Sequence, residues 1–221
     1  IEQCVEDPKI IIFDDNSNDP DTLAFLDEVT TKHQVVRPEL GDLHMNKCGG
    51  LTNNMQLSLT YIPQGELVCF VQDDTQFVRK LDDSDFADIN KFFELSPKSA
   101  FLQFAFLKGK SRKRISKATR FNESLGVYTR KDTQQSGGIF YSDISIAHVD
   151  RLKSVNWTFA AREKDNNTQA KQIFSFMGFM KNPFLMYLPS APAYRGKIKT
   201  LGHRLAEQKN DCGFHPFCSM S

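Results

Sequence analysis

The stretch Gly65-Glu66-Leu67-Val68-Cys69-Phe70-Val71-Gln72-Asp73-Asp74 decides how this chain is read. Its apolar run from Leu67 to Val71 has the pattern of a strand buried on both faces, as at the centre of an open α/β sheet. Such strands deliver their carboxyl ends to the rim where ligands bind. Adjacent carboxylates at that rim, Asp73 and Asp74, suit a divalent cation carrying a phosphorylated ligand. The same acids can instead close the strand by capping the next turn, so the surrounding sequence carries the decision.

Upstream, the arrangement recurs. Lys9-Ile10-Ile11-Ile12-Phe13 runs into Asp14-Asp15-Asn16-Ser17, and Asp19-Pro20 then reads as an N-cap followed by proline at the first helical position. Helix follows over Leu23 to Val29, and a short strand over Gln34 to Val36. Gly49 to Ile62 reads as a helix, with Leu51, Met55, Leu59 and Ile62 on one face. Beyond the quoted strand, Asp85 to Leu95 is helical and Phe101 to Leu107 is an apolar strand. Ser136 to Tyr141 is a strand entered through Gly137 and Gly138, and Ile144 to Leu152 is a short helix. Glu163 to Gly178 is amphipathic, with Ala170, Ile173, Phe174 and Met177 inward. Strands alternating with helices specify an α/β fold.

With 221 residues, 40% of them apolar, and a net charge of +1, the chain supports one globular domain. That balance excludes disorder and a generally basic nucleic-acid binder. No apolar stretch approaches the ~18 to 20 residues needed to span a bilayer. The first residues form neither a signal nor a transit peptide. Five cysteines, odd in number and irregularly spaced, argue against a disulfide framework and for a reducing compartment, which places the chain in the cytoplasm. Glycosylation triplets beginning at Asn122, Asn156 and Asn166 pull weakly toward a secretory lumen, although such triplets also arise by chance. Ile1 to Val5 reads as the last turn of a helix already under way. Lys9 to Phe13, apolar throughout, calls for neighbours on both edges, so the expectation is a single domain over 1–221 lacking its first strand upstream of Ile1.

Taken in order, four segments resemble the family 2 glycosyltransferases of the GT-A fold. They are Ile10-Ile11-Ile12-Phe13-Asp14-Asp15-Asn16-Ser17, Gly49-Gly50-Leu51-Thr52-Asn53-Asn54, the quoted strand to Asp74, and Ser136-Gly137-Gly138-Ile139-Phe140. The resemblance covers roughly Lys9 to Pro192. It implies a mixed, mainly parallel sheet flanked by helices, and transfer of a sugar from a nucleoside-diphosphate sugar to a glycan or lipid-linked acceptor. It also implies that Asp15 contacts the nucleotide base while Asp14 and Ser17 shape the turn. Asp74 becomes the metal ligand for Mn2+ or Mg2+, with Asp73 beside it toward the ribose or sugar. Gln72 stands where relatives often carry an acid. Gly137 and Gly138 match the backbone that approaches the donor sugar, although an ordinary bulge or turn explains the pair as well.

The chemistry accounts for these acids. Breaking the bond from the sugar carbon to the diphosphate releases a heavily charged leaving group, which a divalent cation stabilises. Inversion also requires a carboxylate on the opposite face to take the acceptor proton. In the family this base opens a helix after the glycine-containing strand, which points to Arg162-Glu163-Lys164-Asp165, with Asp165 ahead of Glu163. Helix starts favour acids on electrostatic grounds alone, so capping is the competing role.

Pro189 to Lys199 reads as a loop able to close Arg195 and Lys197 over the diphosphate, or simply as a solvated basic loop. Lys108 to Arg120 carries seven cations and no acid. It is either a surface loop or a peripheral membrane contact at the inner face of a membrane, attracted to anionic headgroups or a lipid diphosphate. Nucleic acid is disfavoured, since Phe121 is the sole nearby aromatic. His203, Cys212, His215 and Cys218 do not follow a standard zinc pattern. Two other readings stand beside the enzyme: a non-catalytic sugar- or nucleotide-binding domain, and a phosphorelay receiver. The receiver fits Asp14-Asp15 but lacks a phospho-accepting aspartate with its following turn on the middle strand.

Overall fold

The computed structural model describes residues 1–37, 50–107, 109–131 and 140–187. The expectations placed on Gly49, Gly137, Gly138, Arg195, Lys197 and the histidine–cysteine group after residue 200 lie outside those residues. Local signals are obeyed where they are strongest. Strand β1 (Ile11–Phe13) leads to helix α1 (Pro20–Val29), whose N-cap Asp19 accepts from the Thr22 amide ahead of proline at the helix start. Next come β2 (Gln34–Val36), α2 (Leu51–Tyr61), β3 (Leu67–Cys69), β4 (Thr75–Phe77) and α3 (Asp83–Leu95). Helix α3 opens on a full capping box between Asp82 and Asp85. Then follow β5 (Phe101–Gln103), α4 (Gly109–Ala118), β6 (Thr119–Asn122) and β7 (Val127–Arg130). The described chain closes with β8 (Ile146–His148), α5 (Val149–Ser154), α6 (Glu163–Ile173), β9 (Gly178–Met180) and β10 (Leu185–Tyr187).

The sheet corrects the sequence expectation. Its six strands run β3-β8-β5-β9-β7-β6, and only β5 and β9 pair in parallel. The sheet is therefore mostly antiparallel rather than mainly parallel. The cause lies in two segments. Ile144 to Leu152, expected as helix throughout, first forms β8, which inserts between β3 and β5 with Ala147 opposite both Val68 and Phe101. The basic segment then continues into a β6–β7 hairpin whose turn closes at Gly126, φ 72°. Pairings between distant segments leave no periodic trace in either strand alone, which is why alternation of strands with helices did not reveal them.

Strand β3 is also an edge strand among the described residues, not a central one. It pairs with β8 on one side, and Cys69 is exposed. Strands β1 and β2 form a separate parallel pair, and β4 and β10 an antiparallel one.

Alternate residues of the large sheet serve opposite faces. Phe101 and Phe179 join a cluster with Met55 and Leu59 of α2, Ile115 and Ala118 of α4, Leu152 of α5 and Ala170 of α6. Leu102, Val127, Ile146 and Met180 join a second cluster with Ile89, Phe92 and Phe93 of α3. Helix α6 ends at Ile173, earlier than its apolar periodicity suggests, because the chain turns extended there and the Ser175 amide bonds to Lys98 O. Phe174 and Met177 remain buried in the first cluster.

Arginines tie the layers together. Arg151 donates to the carbonyls of Phe93, Ser96 and Ser99, satisfying the end of α3. Arg79 grips Asp85 through both nitrogens at 2.6 Å and also donates to the carbonyls of Asn182 and Pro183. Cys4 is buried and disulfide-bonded. An odd cysteine count therefore did not exclude a bridge, and the argument for a reducing compartment falls with it. Among the described residues no helix is long and apolar enough to cross a membrane.

Candidate functional site

Strand β1 delivers Asp14 and Asp15 with opposite assignments. Asp14 is buried and turned inward, accepting from the Ser17 amide at 3.1 Å and the Ser17 hydroxyl at 2.6 Å. Asp14 and Ser17 thus build the turn. Asp15 is exposed, and its Oδ2 accepts from the Gly50 amide at 3.1 Å, where α2 begins. A carboxylate there sits against the positive end of the helix dipole. Arg37, at the exit of β2, reaches to 3.9 Å from Asp14. The sequence reading missed this cation. Its only signal was position, directly after a strand that pairs in parallel with β1.

From Gly50 the first turn of α2 leads into a cavity of about 220 Å3, walled by Leu51, Thr52 and Met55 on one side and by Phe159 to Glu163 on the other. Tyr141, Asp143 and Asn166 complete its lining. Side-chain amides hold the walls. Gln56 accepts from the Phe159 amide at 2.9 Å and donates to Trp157 O, fixing this segment against α2. Asn166 accepts from the Ala160 amide at 2.7 Å and donates to Ala160 O at 2.8 Å. Asn167 accepts from the Phe140 amide at 3.0 Å, which places the Phe140–Asp143 segment beside the same helix start. Asn166, read as the start of a glycosylation triplet, is instead 2% exposed and fully engaged by its own amide.

The acids at the start of α6 part company here. Glu163, the first helical residue, lines the cavity. Asp165 does not, and its two oxygens accept from Arg162 at 2.7 and 3.0 Å. Of the pair, the geometry therefore brings the second-ranked Glu163 to the cavity and leaves Asp165 occupied by a cation. Opposite Glu163, Tyr141 is pushed well above the usual phenol range, first by burial and then by the carboxylates of Asp143 and Glu163 that face it. Its hydroxyl keeps its proton at neutral pH and can donate a hydrogen bond. The cavity thus combines carboxylates, a neutral phenol and apolar side chains, a lining able to take a ligand rich in hydroxyl groups.

Asp73 and Asp74 lie on the tight turn between β3 and β4, where the Thr75 amide bonds to Gln72 O. Asp73 is exposed; Asp74 is half-buried, with Oδ1 out of contact with solvent. Neither lines the cavity. The residue directly after β3 does reach it, because Phe70 packs edge-on against the cavity residue Phe159, ring centres 5.7 Å apart. Among the described residues no group of three or more histidines, cysteines or acids converges on a metal position. Adjacent carboxylates still fit a hard cation that takes its remaining ligands from water and phosphate oxygens, as Mg2+ does.

No protein-family model matches this sequence, and no curated protein matches it. Among solved structures the chain is similar to that of S. aureus TarS residues 1–349, a GT-A-like glycosyltransferase, with a TM-score of 0.52 and 18% identity. The match covers 85% of this chain and 54% of that one, so the chain spans about half the length of its neighbour. At that identity the likeness concerns the fold, which is glycosyltransferase-like.

Proposed function

We propose that this chain is a metal-dependent, inverting glycosyltransferase of the family 2 type, acting on a nucleoside-diphosphate sugar and a glycan or lipid-linked acceptor. The observation that carries the proposal is the position of Glu163 on the cavity whose facing wall starts at Leu51, the residue after the Gly50 amide that Asp15 binds. Under this proposal Asp15, beside the start of α2, contacts the nucleotide, and the carboxylate base lies across the cavity from that helix. In this reading Glu163, rather than Asp165, takes the acceptor proton. Its place in the first turn of α6 sets the carboxylate against the positive end of the helix dipole. Tyr141 and Asp143 orient sugar hydroxyls, while Leu51, Met55 and Phe159 exclude water from the reacting carbon.

Asp74, with Asp73, would hold Mn2+ or Mg2+. When bound, the cation neutralises charge on the departing diphosphate. Asp15 orients the nucleotide, with Arg37 as a further cation beside the turn. Gly137 and Gly138 would approach the donor sugar, and Arg195 and Lys197 would cover the diphosphate.

The test is a panel of nucleotide sugars read by thermal stabilisation with and without Mn2+, because a ligand of the native state raises its melting temperature. A metal-dependent rise with one donor, lost in Asp74→Asn, supports the proposal. No response to any nucleotide sugar, with metal present, overturns it. A binding domain without turnover gives the same stabilisation but releases no nucleoside diphosphate when acceptors are added.

A further inference from the structure

Helix α4 and the β6–β7 hairpin form a face unlike the rest of the described surface. Ile115 and Ala118 point into the core, while Arg114 and Lys117, one turn apart, are exposed. Lys131, directly after β7, donates from Nζ to Lys117 O at 2.9 Å, so the end of the hairpin lies against the end of the helix. Along the hairpin, Thr119 faces Arg130 and Phe121 faces Tyr128. Strand alternation puts these four side chains on one face. Phe121 and Tyr128 meet edge to face at 5.2 Å, and Tyr128 is 40% exposed. Lys181 Nζ sits 5.3 Å from the centre of the Phe121 ring. From 114 to 122 and from 127 to 131 there is no acid; the nearest in sequence is Glu123, in the hairpin turn.

We propose that this face docks the protein onto an anionic lipid surface. Charge complementarity fixes the sign of the partner, with Arg114, Lys117 and Lys131 gathered at the end of α4 and Lys181 beside the Phe121 ring of the hairpin. The aromatic pair decides between anionic partners. Phe121 is engaged by both Tyr128 and Lys181, which leaves Tyr128 as the one exposed ring of the pair, fewer than a run of successive stacked bases needs. A half-exposed tyrosine among lysines and arginines instead suits the boundary between headgroups and acyl chains, with apolar body inward and polar tip in water. Ile115 and Ala118 belong to the same core cluster as Met55 and Phe159 of the cavity, so the docking face and the cavity share one side of the sheet. Docking does not depend on the catalytic reading.

The experiment is co-sedimentation of the purified chain with phosphatidylcholine vesicles, with or without about a third phosphatidylglycerol. Binding is expected only to the anionic vesicles and falls as salt rises. The triple change of Arg114, Lys117 and Lys181 to glutamine weakens it by about 10²-fold, Arg114→Glu/Lys117→Glu/Lys181→Glu by more, and Tyr128→Ala weakens it at every salt concentration. Lys32→Glu/Lys91→Glu/Lys98→Glu, exposed cations elsewhere, leaves it intact. Equal binding to neutral vesicles overturns the proposal, as does unchanged binding of both the glutamate and glutamine triples. Tighter binding of a single-stranded oligonucleotide than of anionic vesicles at the same salt also overturns it.

Discussion

The Asp15 carboxylate accepts a hydrogen bond from the backbone amide of Gly50 at 3.1 Å, joining the end of β1 to the start of α2 across 35 residues. The approach is close enough that a Cβ on Gly50 would lie 2.4 Å from the Asp15 Cβ. Gly50→Ala therefore destabilises the protein by about 1–3 kcal/mol, the usual cost of overpacking. It also weakens donor binding, since Asp15 must move. Urea unfolding and donor-induced thermal shift measure the two effects. Adding Asp15→Gly recovers stability without recovering donor affinity, because the clash is with a side chain that the proposal needs.

Glu163→Gln should lower transfer by at least ~10²-fold while donor affinity changes little, as expected for loss of a general base. Asp165→Asn should be mild, because it disturbs only an exposed contact with Arg162. Steady-state rates with both variants decide the matter. A dead Asp165→Asn beside an active Glu163→Gln would return the base to Asp165.

Arg79 and Asp85 form a bidentate pair in which the acid is 3% exposed. Arg79→Leu leaves that carboxylate buried without its cation and should cost about 3–5 kcal/mol. Arg79→Leu/Asp85→Leu should cost less than the sum of its parts, by denaturant titration. Additive losses would show that the capping role of Asp85, which accepts from the Asp82 amide, matters more than the ion pair.

His148 is held below the ordinary imidazole range, first by burial and then by the Arg151 guanidinium, with Asp150 opposing. Below the ordinary value of 6.5 the unfolded chain therefore binds more protons than the folded one. Stability contributed by neutral His148 is full above that pH and is lost as pH falls through the lower folded value. His148→Phe, which keeps the ring packing on Phe93, should reduce the drop in melting temperature between neutral and mildly acidic pH. An identical drop in both proteins would assign the acid sensitivity elsewhere.

The sequence by itself placed the acids after β1, the Asp19-Pro20 helix start, and α2 and α3 within two residues of where they lie, while the acids expected to end β3 fall on the turn beyond Cys69. These are local signals, set by caps, proline and side-chain periodicity over a single element. It also picked out Glu163 and Asp165 as the acids opening α6, and ranked Asp165 first. Only the tertiary structure puts Glu163 on the cavity and Asp165 against Arg162, because the choice depends on where the Tyr141 and Phe159 segments pass the helix start. Sheet polarity was likewise decided at long range. Val68 and Phe101 each read as strand, yet nothing in either run announces that Ala147 will pair antiparallel between them. A strand's periodicity records which of its faces is buried, not which neighbour supplies its hydrogen bonds.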